Sequence, residues 1–475
     1  MYHAAKYWPL SDICMDRNST ILVHSCKPLY RLAVEAVTKS YANNPRCPKH
    51  RTAIEELALG TRLDLLAEMC DYPSLVEVQL EIVSDPLLVS DFIRHLSADL
   101  TPLVQCFQWL ESVKKSVPIQ LFRQYKKLTE EKFRTGSYSR LDYKCGLRIG
   151  TFLIETGWTV EAIGILRLAQ QHTRFGTADE LTVLRQLMRA QTLSGRLINA
   201  SKTYGRMQRM LSSVIRLSKF TRGIPENESK LQSLHDLQIA VFHSFALYHF
   251  EALNFDLSYE CGMQSLKRIN KRSPPRLVID VLRQLVRACL GHRMYFKASF
   301  ILKLAIGLVV QQYGRESALY AETLEDLAIL MLACNQVSES VEVYSEAQHI
   351  YIQLYGSRNL SISHAQGNLA YGLCLQAYVT GRRETAMLHV AKSVGNYKRI
   401  LAPDHRMLIQ VIRLRATMDL FTFSNSVDKG IEVILFNHKD IDPFSVRDIS
   451  AKLQLIQLWD NNCKQHRIQT NKNKM

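Results

Sequence analysis

The chain contains few of the residues that interrupt helices. Its 475 residues include only 20 glycines and 13 prolines, while 47% of them are hydrophobic, which is enough to bury a large core. Few breakers over such a length favour long helices over many short strands. The sequence therefore predicts an all-α protein.

The 11 cysteines form no C-x-x-C pair, and their number is odd. This pattern fits reduced, mostly buried thiols in the cytosol better than a disulfide framework or a zinc site. We therefore expect a cytoplasmic protein without a bound metal.

Long apolar runs are also missing. The longest such stretch, from Phe300 to Val310, is interrupted by Lys303 and is far too short to span a bilayer. The first residues lack the basic start and sustained apolar segment of a signal peptide. We expect no transmembrane segment.

Catalytic motifs are absent. The sequence contains no P-loop, no H-E-x-x-H and no G-x-S-x-G. Three histidines, His235, His243 and His249, fall in one helical segment, but no two of them have metal-ligand spacing, so packing or surface roles are expected. The sequence predicts no catalytic residues and no cofactor, hence a non-enzymatic protein.

The main positive feature is a repeated segment. The run Val183-Leu-Arg-Gln-Leu-Met-Arg-Ala190 returns nearly unchanged as Val281-Leu-Arg-Gln-Leu-Val-Arg-Ala288. Each copy carries two arginines four residues apart, a spacing that puts both guanidinium groups on one helix face. A repeated helix with a repeated charged face is typical of a repeat protein that presents a binding surface.

The repeats can be phased on small residues. A tetratricopeptide (TPR) repeat needs small residues where its two helices cross, at its eighth and twentieth positions. The turns at Tyr313-Gly314 and Tyr355-Gly356 give a shift of 42 residues. We expect a TPR-like helical-repeat solenoid over residues 141–424, after a helical N-terminal region (1–140) and before a polar tail (425–475) that caps the array. The predicted twentieth positions are Ala162, Ala200, Ser258, Ala298, Ser340 and Ala386.

In this phase the paired arginines occupy the fifth and ninth positions, which face the concave groove in TPR arrays. There they could hold a carboxylate of a side chain or of a peptide C-terminus through charge-assisted hydrogen bonds. The alternative is that they extend to solvent and pair with local acids. The predicted peptide-binding residues are Arg185, Arg189, Arg283 and Arg287, together with Asp326 and Asn368, which share the sixth position of adjacent repeats.

The net charge of +16 is arranged in blocks. Residues 174–222 and 267–297 are strongly basic, whereas the repeat from Glu316 to Glu346 is acidic. Such alternation indicates either contact with oppositely charged parts of a partner or a solvated charged face. No basic stretch interleaved with aromatics is present, so nucleic acid is not an expected partner.

Several segments together resemble the amyloid protein-binding protein two family of TPR proteins, which is related to kinesin light chains. The similar segments are Val278–Gln284, the two Tyr-Gly turns, Asn368-Leu-Ala-Tyr371 and Leu401-Ala-Pro-Asp-His405. The resemblance implies microtubule association, binding of cargo tails such as that of the amyloid precursor protein, and a role as substrate receptor of a cullin-2 ubiquitin ligase. The alternative it leaves open is a kinesin-linked cargo adaptor.

The ligase role depends on a short N-terminal segment, residues 28–37. Within it, Leu29, Ala33 and Val37 lie four residues apart and form one helical stripe that can enter a partner's groove. The resemblance implies that this stripe is an elongin-binding box for elongins B and C, and that the segment near Pro48 contacts cullin-2. The polar tail after Leu420 departs from the family, which is expected to have further repeats there.

Overall fold

The computed structural model describes residues 29–45, 54, 56–94, 101–136, 141–220, 228–355, 360–380, 384–400, 406–420 and 439. These residues form 19 α-helices and two short 3-10 turns, and the described part of the chain contains no strand. The helices pack in consecutive pairs, so the protein is an all-α helical-repeat solenoid, as the sequence predicted.

A first compact unit comprises residues 1–173 and 351–362. Its early helices are short, and the 3-10 turns Met69–Asp71 and Pro73–Leu75 connect two of them. Its helices are α1 (Leu29–Asn43), α2 (Leu59–Glu68), α3 (Val76–Ser84), α4 (Pro86–Arg94), α5 (Thr101–Ser112), α6 (Val117–Thr135), α7 (Tyr143–Glu155) and α8 (Thr159–Gln171).

A second compact unit comprises residues 174–350 and 363–475. Its helices are α9 (Ala178–Leu193), α10 (Leu197–Phe220), α11 (Glu228–Glu251), α12 (Phe255–Leu266), α13 (Pro275–Gly291), α14 (Tyr295–Tyr313), α15 (Ala318–Ala333), α16 (Val337–Tyr355), α17 (Leu360–Thr380), α18 (Glu384–Ile400) and α19 (Arg406–Leu420). The division at residue 173 groups the pair α7 and α8 with the N-terminal helices. The predicted tail, 425–475, lies outside the described residues except for Lys439.

The predicted helix crossings have the expected small residues. All six residues assigned to the twentieth position are fully buried. Where that residue is a serine, its hydroxyl also joins the two helices of the repeat: Ser258 Oγ donates to Ala246 O, and Ser340 Oγ donates to Ala328 O, both at 2.8 Å. Each bond therefore holds the second helix of a pair against the first at the buried small residue.

A glycine inside α12 has a steric reason. Gly262 lies one helical turn after Ser258 and is buried. A Cβ atom added there would lie 2.7 Å from Cδ2 of Leu285 on α13. The leucine of the next repeat fills the space that a larger side chain would occupy.

The turn between the two helices of a repeat has the same backbone conformation in five repeats. The residue five before the buried small residue has a positive φ, from 56° at Arg293 to 92° at Gly157. Two crossed hydrogen bonds close each turn; at Leu253, for example, Leu253 N donates to Phe250 O and Asn254 N donates to His249 O. This is the Schellman ending of a helix. The five residues are Gly157, Gly195, Leu253, Arg293 and Asn335.

No helix among the described residues is both long enough and apolar enough to cross a membrane.

Candidate functional site

The stripe predicted to bind elongins lies on the outer face of α1. Leu29 is 84% exposed and Val37 is 45% exposed, and Ala33 between them is exposed as well. The opposite face of the helix is buried through Val34 and Tyr41. The helix is therefore anchored by one face and leaves its second apolar stripe uncovered. Pro28 and Pro48 fall outside the described residues.

A row of charged side chains crosses the first helices of successive repeats in the second unit. We call it the charged row. All six peptide-binding residues predicted from the sequence belong to it, and they lie on α9, α13, α15 and α17. The members of the charged row are Arg185, Arg189, His243, Asp280, Arg283, Arg287, Glu322, Glu325, Asp326 and Asn368.

The centre of the charged row is an ion-pair network between α13 and α15. Arg283 Nε donates to Asp326 Oδ2 at 2.6 Å, and Arg287 Nε donates to Asp326 Oδ1 at 2.8 Å. Arg283 also contacts the Glu322 carboxylate and donates to the Glu322 carbonyl oxygen at 3.0 Å. Asp326 is fully buried, so both of its oxygens are satisfied inside the protein. The two arginines do hold a carboxylate, but it belongs to the next repeat.

This network explains part of the charge alternation along the sequence. The basic repeat that contains α13 neutralises acidic side chains of the repeat that contains α15. Arg283 is only 8% exposed, whereas the Arg287 side chain is 34% exposed. Burial alone would lower the pKa of the Arg283 guanidinium, but the Asp326 and Glu322 carboxylates raise it above its usual range. Arg283 is thus a structural cation, while Arg287 keeps part of its guanidinium at the surface.

A second ion pair belongs to α13 itself. Arg276 Nε donates to Asp280 Oδ1 at 3.1 Å, one turn away. Burial raises the pKa of Asp280, but Arg276, followed by His243 and Arg189, outweighs it and lowers the pKa below the usual value. Asp280 is therefore ionised at neutral pH. Its charge interacts with His243 on α11 and with Arg189 on α9.

His243 on α11 lies among the arginines. Burial lowers its pKa to about 4; Asp280 opposes this shift, while Arg189, Arg185 and Arg287 add to it. The imidazole is consequently neutral at pH 7, with cationic groups approaching from α9 and from α13. No sequence signal indicated this position, because His243 has no neighbour at a metal-ligand spacing and a packing or surface role was expected.

The acidic part of the charged row ends at Glu325 and Asn368. Asn368 Nδ2 donates to Glu325 Oε1 at 2.9 Å. The pKa of Glu325 is raised to about 7, mainly by burial. The hydrogen bond from Asn368 lowers this pKa, whereas the nearby Asp326 carboxylate raises it further. Asn368 is therefore engaged with a neighbouring repeat, and Glu325 is a titratable group that the sequence analysis did not single out.

The charged row has arginines at its α9 end and a carboxyl with a raised pKa, Glu325, towards its other end. Arg185 is 5% exposed and Arg189 is half-buried, so α9 contributes cations of different accessibility. Among the described residues, no group of His, Cys, Asp and Glu has a metal-binding arrangement.

Comparison with known proteins finds curated proteins of similar sequence. No family model matches the chain. Over 404 residues it is 24% identical to Amyloid protein-binding protein 2 of Rattus norvegicus, and equally to that of Mus musculus. The similarity supports a relationship to these proteins. The match covers 82% of this chain but 63% of each relative, so the chain spans less than two thirds of their length.

Proposed function

We propose that this chain is a non-enzymatic adaptor that binds protein tails along the charged row. The observation that carries the proposal is the row itself: five first helices, from α9 to α17, contribute charged and polar side chains to it, and Arg189 and Arg287 are partly exposed. Helical repeats use rows of this kind to bind extended segments of other proteins. The similarity to proteins named for amyloid protein binding agrees with a protein ligand.

The arrangement around Asp326 supports binding of an anionic group by the row. Two arginines one helical turn apart each give an Nε–H to one carboxylate oxygen of Asp326. Arg189, like Arg287, lies close enough to His243 to lower its pKa. A carboxylate of a tail peptide, from a side chain or from the C-terminus, would bind beside His243 between these two guanidinium groups.

The exposed stripe on α1 supports a role in ubiquitin ligation. Leu29, Ala33 and Val37 are uncovered on a helix that is held in place by its other face. An apolar helical stripe of this kind fits a hydrophobic groove of a partner. We propose that the partners are elongins B and C, with cullin-2, and that the tail bound by the charged row is the substrate. The proposed location is the cytoplasm.

Co-purification tests this function directly. The full chain, expressed with an affinity tag, should recover elongins B and C and cullin-2 in stoichiometric amounts. Recovery of kinesin heavy chain without elongins would instead support the alternative, a cargo adaptor on microtubules. Binding of a synthetic peptide of the amyloid precursor protein tail, measured by fluorescence anisotropy, tests the charged row separately from either assembly.

A further inference from the structure

The first unit contains a large cavity that neither proposed activity uses. Its volume is about 1010 Å³, and side chains from α1, α2, α3, α4 and α6 line it. Leu65, Leu66 and Met69 form an almost completely buried floor. Ile82 and Leu87 line the walls and are partly exposed. The cavity therefore offers an apolar surface that an amphipathic ligand could cover.

Three carboxylates line the same cavity. Glu77 and Glu81 lie four residues apart on one face of α3, and Asp85 follows the last residue of this helix. All three are exposed. Of the described lining residues only Arg62 is basic, and its Nε donates to Leu57 O at 2.8 Å. In a chain whose net charge is +16, this is a locally acidic surface.

A buried hydroxyl supplies an independent sign of a ligand. Ser84 lines the cavity and is 7% exposed. Its Oγ has no hydrogen-bond partner among the described residues. Leaving a buried hydroxyl unsatisfied costs free energy, and a ligand that provides a hydrogen-bond partner would recover it. The hydroxyl lies at the end of α3, beside the last of the three carboxylates.

We propose that this cavity binds a basic amphipathic helix of a partner protein. Carboxylates four residues apart on α3 are about 6 Å apart along the helix axis. Lysines or arginines at i and i+4 of a helix lying alongside α3 have the same spacing, and the apolar residues between them would enter the cavity. The surface pair between Glu77 and Lys115, 2.6 Å apart, is no obstacle, because exposed pairs contribute little.

The test uses the full chain and a synthetic fluorescein-labelled peptide of about 18 residues, the length of five helical turns. Its helix carries leucines on one face, flanked by lysines at i, i+4 and i+8. We expect binding that weakens with added salt. Glu81→Lys should weaken binding on the order of tenfold, because an attractive pair becomes a repulsive one. Ser84→Ala should weaken it about two- to tenfold without loss of stability.

Glu130→Lys is the matched control, since Glu130 is an exposed glutamate of α6 outside the cavity lining. It changes the net charge as Glu81→Lys does and should bind the peptide like the parent. Equal weakening by both variants would mean that net charge alone attracts the peptide, which would overturn the proposal. So would equal binding of a peptide with glutamates in place of the lysines. Binding of decyltrimethylammonium without binding of the peptide would assign the cavity to a small cation and also overturn it.

Discussion

Arg283 of one repeat and Asp326 of the next form a buried ion pair, with Nε and Oδ2 2.6 Å apart. Asp326 is fully buried and Arg283 is 8% exposed, so neither charge can be hydrated if the other is removed. Stable folding therefore requires opposite charges at these two positions of adjacent repeats. It also fixes the position of Arg287, whose Nε binds the second oxygen of Asp326.

Asp326→Ala should therefore destabilise the protein strongly. Removing one partner of a buried ion pair leaves an uncompensated charge and typically costs about 3–5 kcal/mol. Urea unfolding followed by circular dichroism measures the loss. Glu342→Gln, at an exposed site of the same repeat, should stay within about 0.5 kcal/mol of the parent. Similar midpoints for the two variants would show that the ion pair does not support the repeat interface.

Glu325→Gln should change how stability depends on pH. The pKa of Glu325 is raised from the usual 4.5 to about 7, so between these values the folded protein holds more protons than the unfolded chain. Stability then falls as pH rises through this window. Glutamine does not titrate and can still accept the hydrogen bond from Asn368.

Urea unfolding at pH 5, 6, 7 and 8 checks this expectation. The variant should lose part of the slope between pH 5 and 7 and exceed the parent at pH 8 by roughly 1–3 kcal/mol. The Glu342→Gln variant should keep the parental slope. A parental slope in Glu325→Gln as well would mean that Glu325 titrates normally.

Leu253→Gly should stabilise the turn between α11 and α12. Leu253 has φ of 60° and is 74% exposed, so its side chain adds strain without much packing. Removing the strain of a leucine in the left-handed conformation should raise the free energy of unfolding by about 1–2 kcal/mol. The greater freedom of glycine in the unfolded chain offsets part of this gain. A rise in thermal midpoint is expected. Leu257→Gly, in the first turn of α12, should lower the midpoint, since glycine costs about 1 kcal/mol within a helix.

Replacing both Leu29 and Ala33 with aspartate should abolish elongin capture while the helical content remains unchanged. Both residues are exposed, so the added charges meet solvent in the isolated chain but apolar surface in the complex. Ile119→Asp on α6 is the matched control, because Ile119 is also an exposed aliphatic residue, 38% accessible. If elongins are still recovered with the double variant, the stripe serves another purpose and the ligase proposal fails.

The fold could be predicted because its rules are local. Helix crossings admit only small residues, so Ala298 and Ser340 reveal the phase of the repeats from their spacing alone. Sequence spacing does not predict positions where a side chain of one helix fills the space beside another helix. Gly262 is understood only once Leu285 of the neighbouring helix is seen to fill its space. The turn conformation shared by Gly195, Leu253 and Arg293 was equally hidden, since only one of these three is a glycine.

Helical spacing accounts for part of the geometry of the candidate site. Helical spacing put Arg283 and Arg287 on one face, and the structure agrees. Spacing also placed Asp326 on the groove side, but as a ligand for a basic peptide side chain. That it pairs instead with the two arginines, about 40 residues earlier in the chain, follows only from the packing of adjacent repeats. His243 escaped notice because its role depends on arginines of two other helices, which no local pattern reveals.

Arg189 allows the proposed anion site to be tested without breaking the Arg283–Asp326 pair. Its side chain is half-buried on α9 and lies close enough to His243 and Asp280 to shift the pKa of both. Arg189→Gln should therefore weaken binding of the amyloid precursor tail peptide about ten- to a hundredfold, the equivalent of one hydrogen bond to a charged group. Anisotropy titrations at low and high salt measure this, and the parent should lose affinity as salt screens the charges.

Arg196→Gln, at an exposed arginine after the same helix, should bind like the parent. Amidation of the peptide C-terminus distinguishes a terminal carboxylate, whose loss would weaken binding, from an acidic side chain. If Arg189→Gln binds like the parent at low salt, the charged row does not hold the anionic group of the tail, and its arginines serve only to join the repeats.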